Sequence, residues 1–167
     1  SGDDTAAGET EAAETTTSAP EPPAPPTKAE YIDAADEVCD RFNKKQAVFE
    51  ERTELTQAVI DAGTNEGAAE VGKAVDAVAD QRQDLTDALL ELEPPTSGRP
   101  QDYFDQRKKT IAVTRDLADA WDDYGKGKTD ATPVNEQSEA ELTAIEKSTE
   151  LAQDYGFKSC SKPVKVK

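Results

Sequence analysis

The chain has no histidine and no methionine, only two cysteines and one tryptophan, and aromatic rings at just 5% of its 167 positions. Without imidazole, no Ser-His-Asp or Cys-His arrangement can take up a nucleophile's proton, and the commonest zinc ligand is missing. Haem ligation loses its usual His and Met axial ligands in the same way. No glycine-rich phosphate loop or dinucleotide fingerprint occurs, and no apolar run is long enough to span a bilayer. Positive charge is scarce as well. With 19 Lys and Arg against 36 Asp and Glu, the formal net charge is -17, so a phosphate backbone is repelled before specific contacts form and nucleic acid is not an expected partner.

What is present divides into a tether, a core and a tail. Residues 1–26 contain no long aliphatic side chain and no aromatic ring, and Pro20, Pro22, Pro23, Pro25 and Pro26 favour extended polyproline geometry. They read as a disordered, acidic, proline-rich tether. Residues 162–167 carry three lysines and read as a flexible basic tail. Setting aside the tether's six acids and the tail's three lysines leaves -14 on residues 27–161, so the core is itself acidic.

The core reads as helical. Thr27 and Glu30 have capping-box spacing, and Tyr31, Ala35, Val38, Phe42 and Phe49 recur near helical period, with Ile32 and Cys39 beside them. Val59 and Ala62 extend this first helix to a break at Gly63 and Asn65, with room for a bend in so long a span. A second stripe runs through Val71, Val75, Val78, Leu85, Leu89 and Leu92, interrupted by Arg82. Gly67 and Gly72 weaken its start. Pro94, Pro95, Gly98 and Pro100 form a turn-rich connection to a third helix marked by Phe104, Ile111, Leu117, Trp121 and Tyr124. Pro133 opens a fourth, whose face is Val134, Leu142, Ile145, Leu151, Ala152 and Tyr155, stopped by Gly156. The expectation is an all-α, antiparallel four-helix bundle over residues 27–161, with a three-helix core as the alternative. Val38, Phe42, Val75, Leu85, Leu89, Ile111, Leu117, Ile145 and Leu151 are expected inside.

Cys39 in the first helix and Cys160 after the last are brought together if the helices pack antiparallel. A disulfide there closes a loop of over 100 residues and stabilises by about 4 kcal/mol; the alternative is two separate thiols. The acidic groups at Asp33, Asp36, Glu37 and Asp40, and at Glu50, Glu51 and Glu54, have the spacing of a solvated helix face rather than of a carboxylate pair across a cleft. Asp116, Asp119, Asp122 and Asp123 concentrate oxygen ligands, yet without an ordered loop they attract diffuse counterions rather than define a metal site. Trp121, Asp122, Asp123 and Tyr124 form a candidate interaction surface, with a small-ligand pocket as a further alternative, weighed against the simpler reading that Leu117, Trp121 and Tyr124 are one internal stripe. No catalytic residue, metal ligand or cofactor is assigned.

The opening KAEYIDAADEVCDRFN at 28–43, the Pro94-Pro95 connection and the ending LAQDYGFKSC at 151–160 resemble the helical domain of small actinobacterial cell-envelope lipoproteins of largely uncharacterised function. That resemblance covers residues 28–160. It implies pairing of the first-helix cysteine with the one after the final Tyr-Gly, an extracytoplasmic location, and membrane attachment through a lipidated cysteine ahead of Ser1. It supplies no catalytic residue. The functional expectation is a surface-tethered module binding a protein or small ligand of unknown specificity at the envelope, the alternatives being a non-catalytic spacer and an unfamiliar hydrolase.

Overall fold

The computed structural model describes residues 23–162; the expected tether, up to Pro22, and the tail beyond Lys162 lie outside the described residues. Five helices make up the described domain: α1 (Lys28–Asn43), α2 (Ala47–Ala62), α3 (Ala68–Glu91), α4 (Gln101–Gly125) and α5 (Thr132–Tyr155). The four-helix bundle is therefore corrected to a five-helix, all-α domain. The extra helix arises because the expected first helix stops at Asn43 and restarts at Ala47. No proline or glycine marks the place. In an unbroken helix the Lys45 carbonyl would accept from Phe49 N–H; instead Gln81 of α3 donates its side-chain amide to Lys45 O at 2.8 Å, and Phe49 N–H goes to Gln46 O at 3.0 Å. A tertiary partner thus replaces a helical one.

The expected signals work elsewhere. Thr27 and Glu30 form the full capping box, with Glu30 N–H donating to Thr27 Oγ1 at 3.3 Å and Thr27 N–H to Glu30 Oε2 at 2.8 Å. Pro133 sits in the first turn of α5, and Gly156 caps its end at φ 110°, a left-handed geometry that glycine adopts without a Cβ penalty. Helix α3 is central: α1, α2 and α4 pack on it, and α5 packs on α4. Gly72, which the sequence marks as a weak point of α3, has a packing role. A Cβ there would lie 2.8 Å from Ala118 O and 3.1 Å from Asp122 N, so its absence lets α3 and α4 approach backbone to backbone.

Burial falls into two apolar clusters. One gathers Tyr31, Ala35, Val38, Cys39, Leu89, Tyr103, Phe104, Ala152 and Phe157 around the disulfide; the other gathers Val59, Ala68, Val71, Val75, Leu117, Ala118, Ala120, Trp121 and Val134. Along α3, α4 and α5 a set of inward polar side chains lies between the two clusters, Arg82 and Thr86, Thr110 and Thr114, and Glu141, beside the buried Val78, Ala79, Ile111 and Ala144. Helix α5 also differs in register from its apolar pattern. Leu142 is 58% exposed while Glu141 is only 4% exposed, because the inward position at this level serves a charge cluster rather than the core.

Candidate functional site

The site is built on the disulfide end. Cys39 and Cys160 are bonded, with Cα atoms 5.1 Å apart. On α1, Asp36 precedes Cys39 by three residues and Asn43 follows it by four, so all three lie near one helix face. Asp36 accepts the backbone N–H groups of Lys158 (2.9 Å), Ser159 (2.7 Å) and Cys160 (3.2 Å), and Asn43 donates to Ser159 O at 3.2 Å. Successive amides converging on one carboxylate are a charge-assisted clamp. It fixes the turn that presents Cys160. Asp36 is thus buried and structural, whereas Asp33, Glu37 and Asp40 are exposed as the solvated reading has it.

Next to this clamp lies the charge cluster of the polar layer. Arg52 of α2 binds Glu141 through two hydrogen bonds, of 2.9 and 2.6 Å, and Arg82 of α3 binds the same carboxylate at 2.6 Å. Arg82 also contacts Thr114 Oγ1. Burial pushes the Glu141 carboxyl up, but the hydrogen bonds and positive charges of Arg52 and Arg82 outweigh it and hold the group at about 2. Burial lowers Arg82 from its ordinary value while Glu141 opposes that effect, and a guanidinium stays charged throughout. A third arginine completes the layer: Arg107 of α4 donates Nε to Thr86 Oγ1 (2.8 Å), Nη1 to Tyr103 OH (3.1 Å) and Nη2 to Arg82 O (3.3 Å). All three partners are neutral. Among the described residues Arg107 has no carboxylate partner.

Between the clamp and this layer opens a cleft of about 250 Å³. Its apolar walls are Phe42, Phe49, Leu85 and Ile145, together with the disulfide. Its polar lining includes Arg82, Arg107 and Lys162, with Gln81, Asn43 and the hydroxyls of Thr110, Ser148 and Thr149, and no carboxylate. Lys45 Nζ stands over the Phe42 ring, 4.3 Å from its centroid. All five helices contribute to the lining or to its cations. The break between α1 and α2 belongs to the rim, since Asn43 and Phe49 on either side both line the cleft. Four of the residues expected in the core, Phe42, Leu85, Ile145 and Leu151, are only half-buried; the first three are cleft walls, and Leu151 packs against the first apolar cluster.

The other expected surface is placed differently. Trp121 is buried in the second apolar cluster with Tyr124 packed at its edge, ring centroids 6.3 Å apart. Asp122 pairs with Lys126 and Asp123 with Lys128, and Trp121 reaches a smaller hollow of about 200 Å³ beside Arg52 and Ser138. The Trp121 to Tyr124 segment and the cleft do not share lining residues. Among the described residues no group of three or more Asp, Glu or Cys side chains is placed to hold a metal, and no helix is long and apolar enough to cross a membrane. Sequence reasoning missed Glu141, Arg52 and Arg107 altogether. Its one usable signal was Arg82, a charge in an otherwise apolar stripe.

No protein-family model, curated protein or solved structure matches this chain. The arrangement is read from its own residues.

Proposed function

We propose that this chain is a small-ligand-binding domain whose site is the cleft beside Cys39–Cys160, working in an oxidising, extracytoplasmic compartment. The observation that carries the reading is the fate of Phe42, Leu85 and Ile145. These side chains belong to the helix stripes that should close the core, and they stand half-buried around an open volume instead. A concave, mostly apolar surface with a few convergent polar groups is what a small-molecule site requires. The location rests on the disulfide, which persists outside reducing cytosol. The cleft supports binding better than hydrolysis: its hydroxyls, on Thr110, Ser148 and Thr149, have neither imidazole nor carboxylate beside them among the lining residues to take a proton.

The test is titration of the oxidised protein with a neutral fluorescent naphthylamine. Saturable enhancement in the wild type, abolished by Ile145→Trp, which fills the cleft, is the expected result. Binding that is non-saturable, or that survives Ile145→Trp in a variant with wild-type helicity, would overturn it.

A further inference from the structure

We propose that the ligand is an amphipathic anion, a short apolar body against Phe42, Phe49, Leu85 and Ile145 with a carboxylate or phosphate head on Arg107 and Arg82. The inference rests on the binding reading above and adds the chemistry of the ligand. The polar layer holds three guanidinium groups, Arg52, Arg82 and Arg107, but a single buried carboxylate, Glu141. Arg52 and Arg82 share that carboxylate. Arg107 spends one bond from each nitrogen on neutral oxygens and retains one N–H on each terminal nitrogen, while Arg82 commits Nη1 to Glu141 and Thr114 and keeps Nε and Nη2. Arg82 Nε and Nη2 are not among the buried unpartnered atoms, and both arginines line the cleft. They are therefore open to an occupant of the cleft, where a guanidinium fork is suited to carboxylate or phosphate oxygens.

The protein's overall charge of -17 opposes an anion at long range. At physiological salt the screening length is about 8 Å, so the contact energy is set by nearby charges, the lining Arg82, Arg107 and Lys162 together with Arg52 against the one carboxylate of Glu141, and the distant field acts mainly on the association rate. The volume, about 250 Å³, falls below the roughly 300–1,000 Å³ of drug-sized sites, which selects a short apolar body.

Calorimetric and amide-NMR titrations of the full oxidised chain with octanoate, octyl phosphate, octanol, octylammonium and inorganic phosphate separate the possibilities. The expected result is that one or both octyl anions bind at least about tenfold more tightly than octanol, the equivalent of one charge-assisted hydrogen bond. Their amide shifts should centre on the cleft walls, and rising salt should weaken them but not octanol. Arg107→Gln should remove that advantage, weakening the octyl anions at least about tenfold more than octanol; should this variant fail to fold, the salt series on the wild type decides. Comparing the two anions tells a carboxylate from a phosphate ligand. Octanol binding as tightly as the octyl anions, or preference for octylammonium, overturns the anion inference and leaves the cleft reading standing. Inorganic phosphate binding as tightly as octyl phosphate overturns the amphipathic half. Failure of every probe, the neutral naphthylamine included, sinks the binding reading itself.

Discussion

Glu141→Gln isolates the electrostatics of the polar layer, because the amide keeps the shape of the carboxyl and removes its charge from between Arg52 and Arg82. The folded carboxyl is held at about 2 against an ordinary 4.5. Each tenfold in proton affinity is about 1.4 kcal/mol, so the ionised form contributes about 3 kcal/mol to folding. That lies at the lower edge of the roughly 3–5 kcal/mol lost when one partner of a buried ion pair is removed. The folded value is depressed, so this stability is fully present above pH 4.5. It declines as pH falls from there toward 2, and about 2 of the 3 kcal/mol is gone by pH 3. Denaturant unfolding of wild type and variant at steps between pH 7 and pH 3 measures this. The difference between them should be about 3 kcal/mol at pH 7 and narrow to about 1 at pH 3. A difference below about 1 kcal/mol at pH 7, or one that does not narrow on acidification, would refute the account of Glu141 as the ionised centre of the layer.

Replacing both cysteines by serine opens the loop closed across 121 positions and should lower stability by about 4 to 5 kcal/mol in oxidising buffer, matching wild type under reductant. Far-UV dichroism of the folded variant should retain its helical signal, since Asp36 and Asn43 still hold residues 158–160; a loss under about 1 kcal/mol refutes the staple. Gly72→Ala sets helix propensity against packing: alanine gains about 1 kcal/mol as a helix former, while a Cβ only 2.8 Å from Ala118 O forces α3 and α4 apart at roughly 1–3 kcal/mol. A net loss on thermal melting is expected, and a stabilised variant would contradict the close approach.

Legibility in the sequence followed the range of the interactions involved. The capping box at Thr27, the start of α5 at Pro133 and its stop at Gly156 depend on residues within a few positions of one another, and they were readable. The break at Lys44–Gln46 depends on Gln81, and the clamp at Asp36 depends on amides more than 120 positions away. Neither leaves a local mark. The same holds for α5, where Leu142 reads as the core residue and Glu141 as its solvated neighbour. Only the presence of Arg52 and Arg82 on two other helices makes the acid the inward group.

The polar layer is more than the fold needs. A buried ion pair is often matched or bettered in stability by apolar side chains of the same volume, so its retention calls for a role beyond adhesion. Glu141 with Arg52 and Arg82 can fix how α2, α3 and α5 register, since each helix offers one partner to a single carboxylate. Arg107 is not required for that. It adds a third positive charge beside two already sharing one acid, and its own bonds go to neutral oxygens. A leucine or methionine there would leave the buried Tyr103 hydroxyl without its partner, but a neutral donor such as glutamine would avoid the repulsion and could still serve such an oxygen. What distinguishes the arginine is that it lines a cleft with apolar walls and no carboxylate while one N–H on each terminal nitrogen stays uncommitted. The charge that the core does not use is the charge that an anionic ligand would.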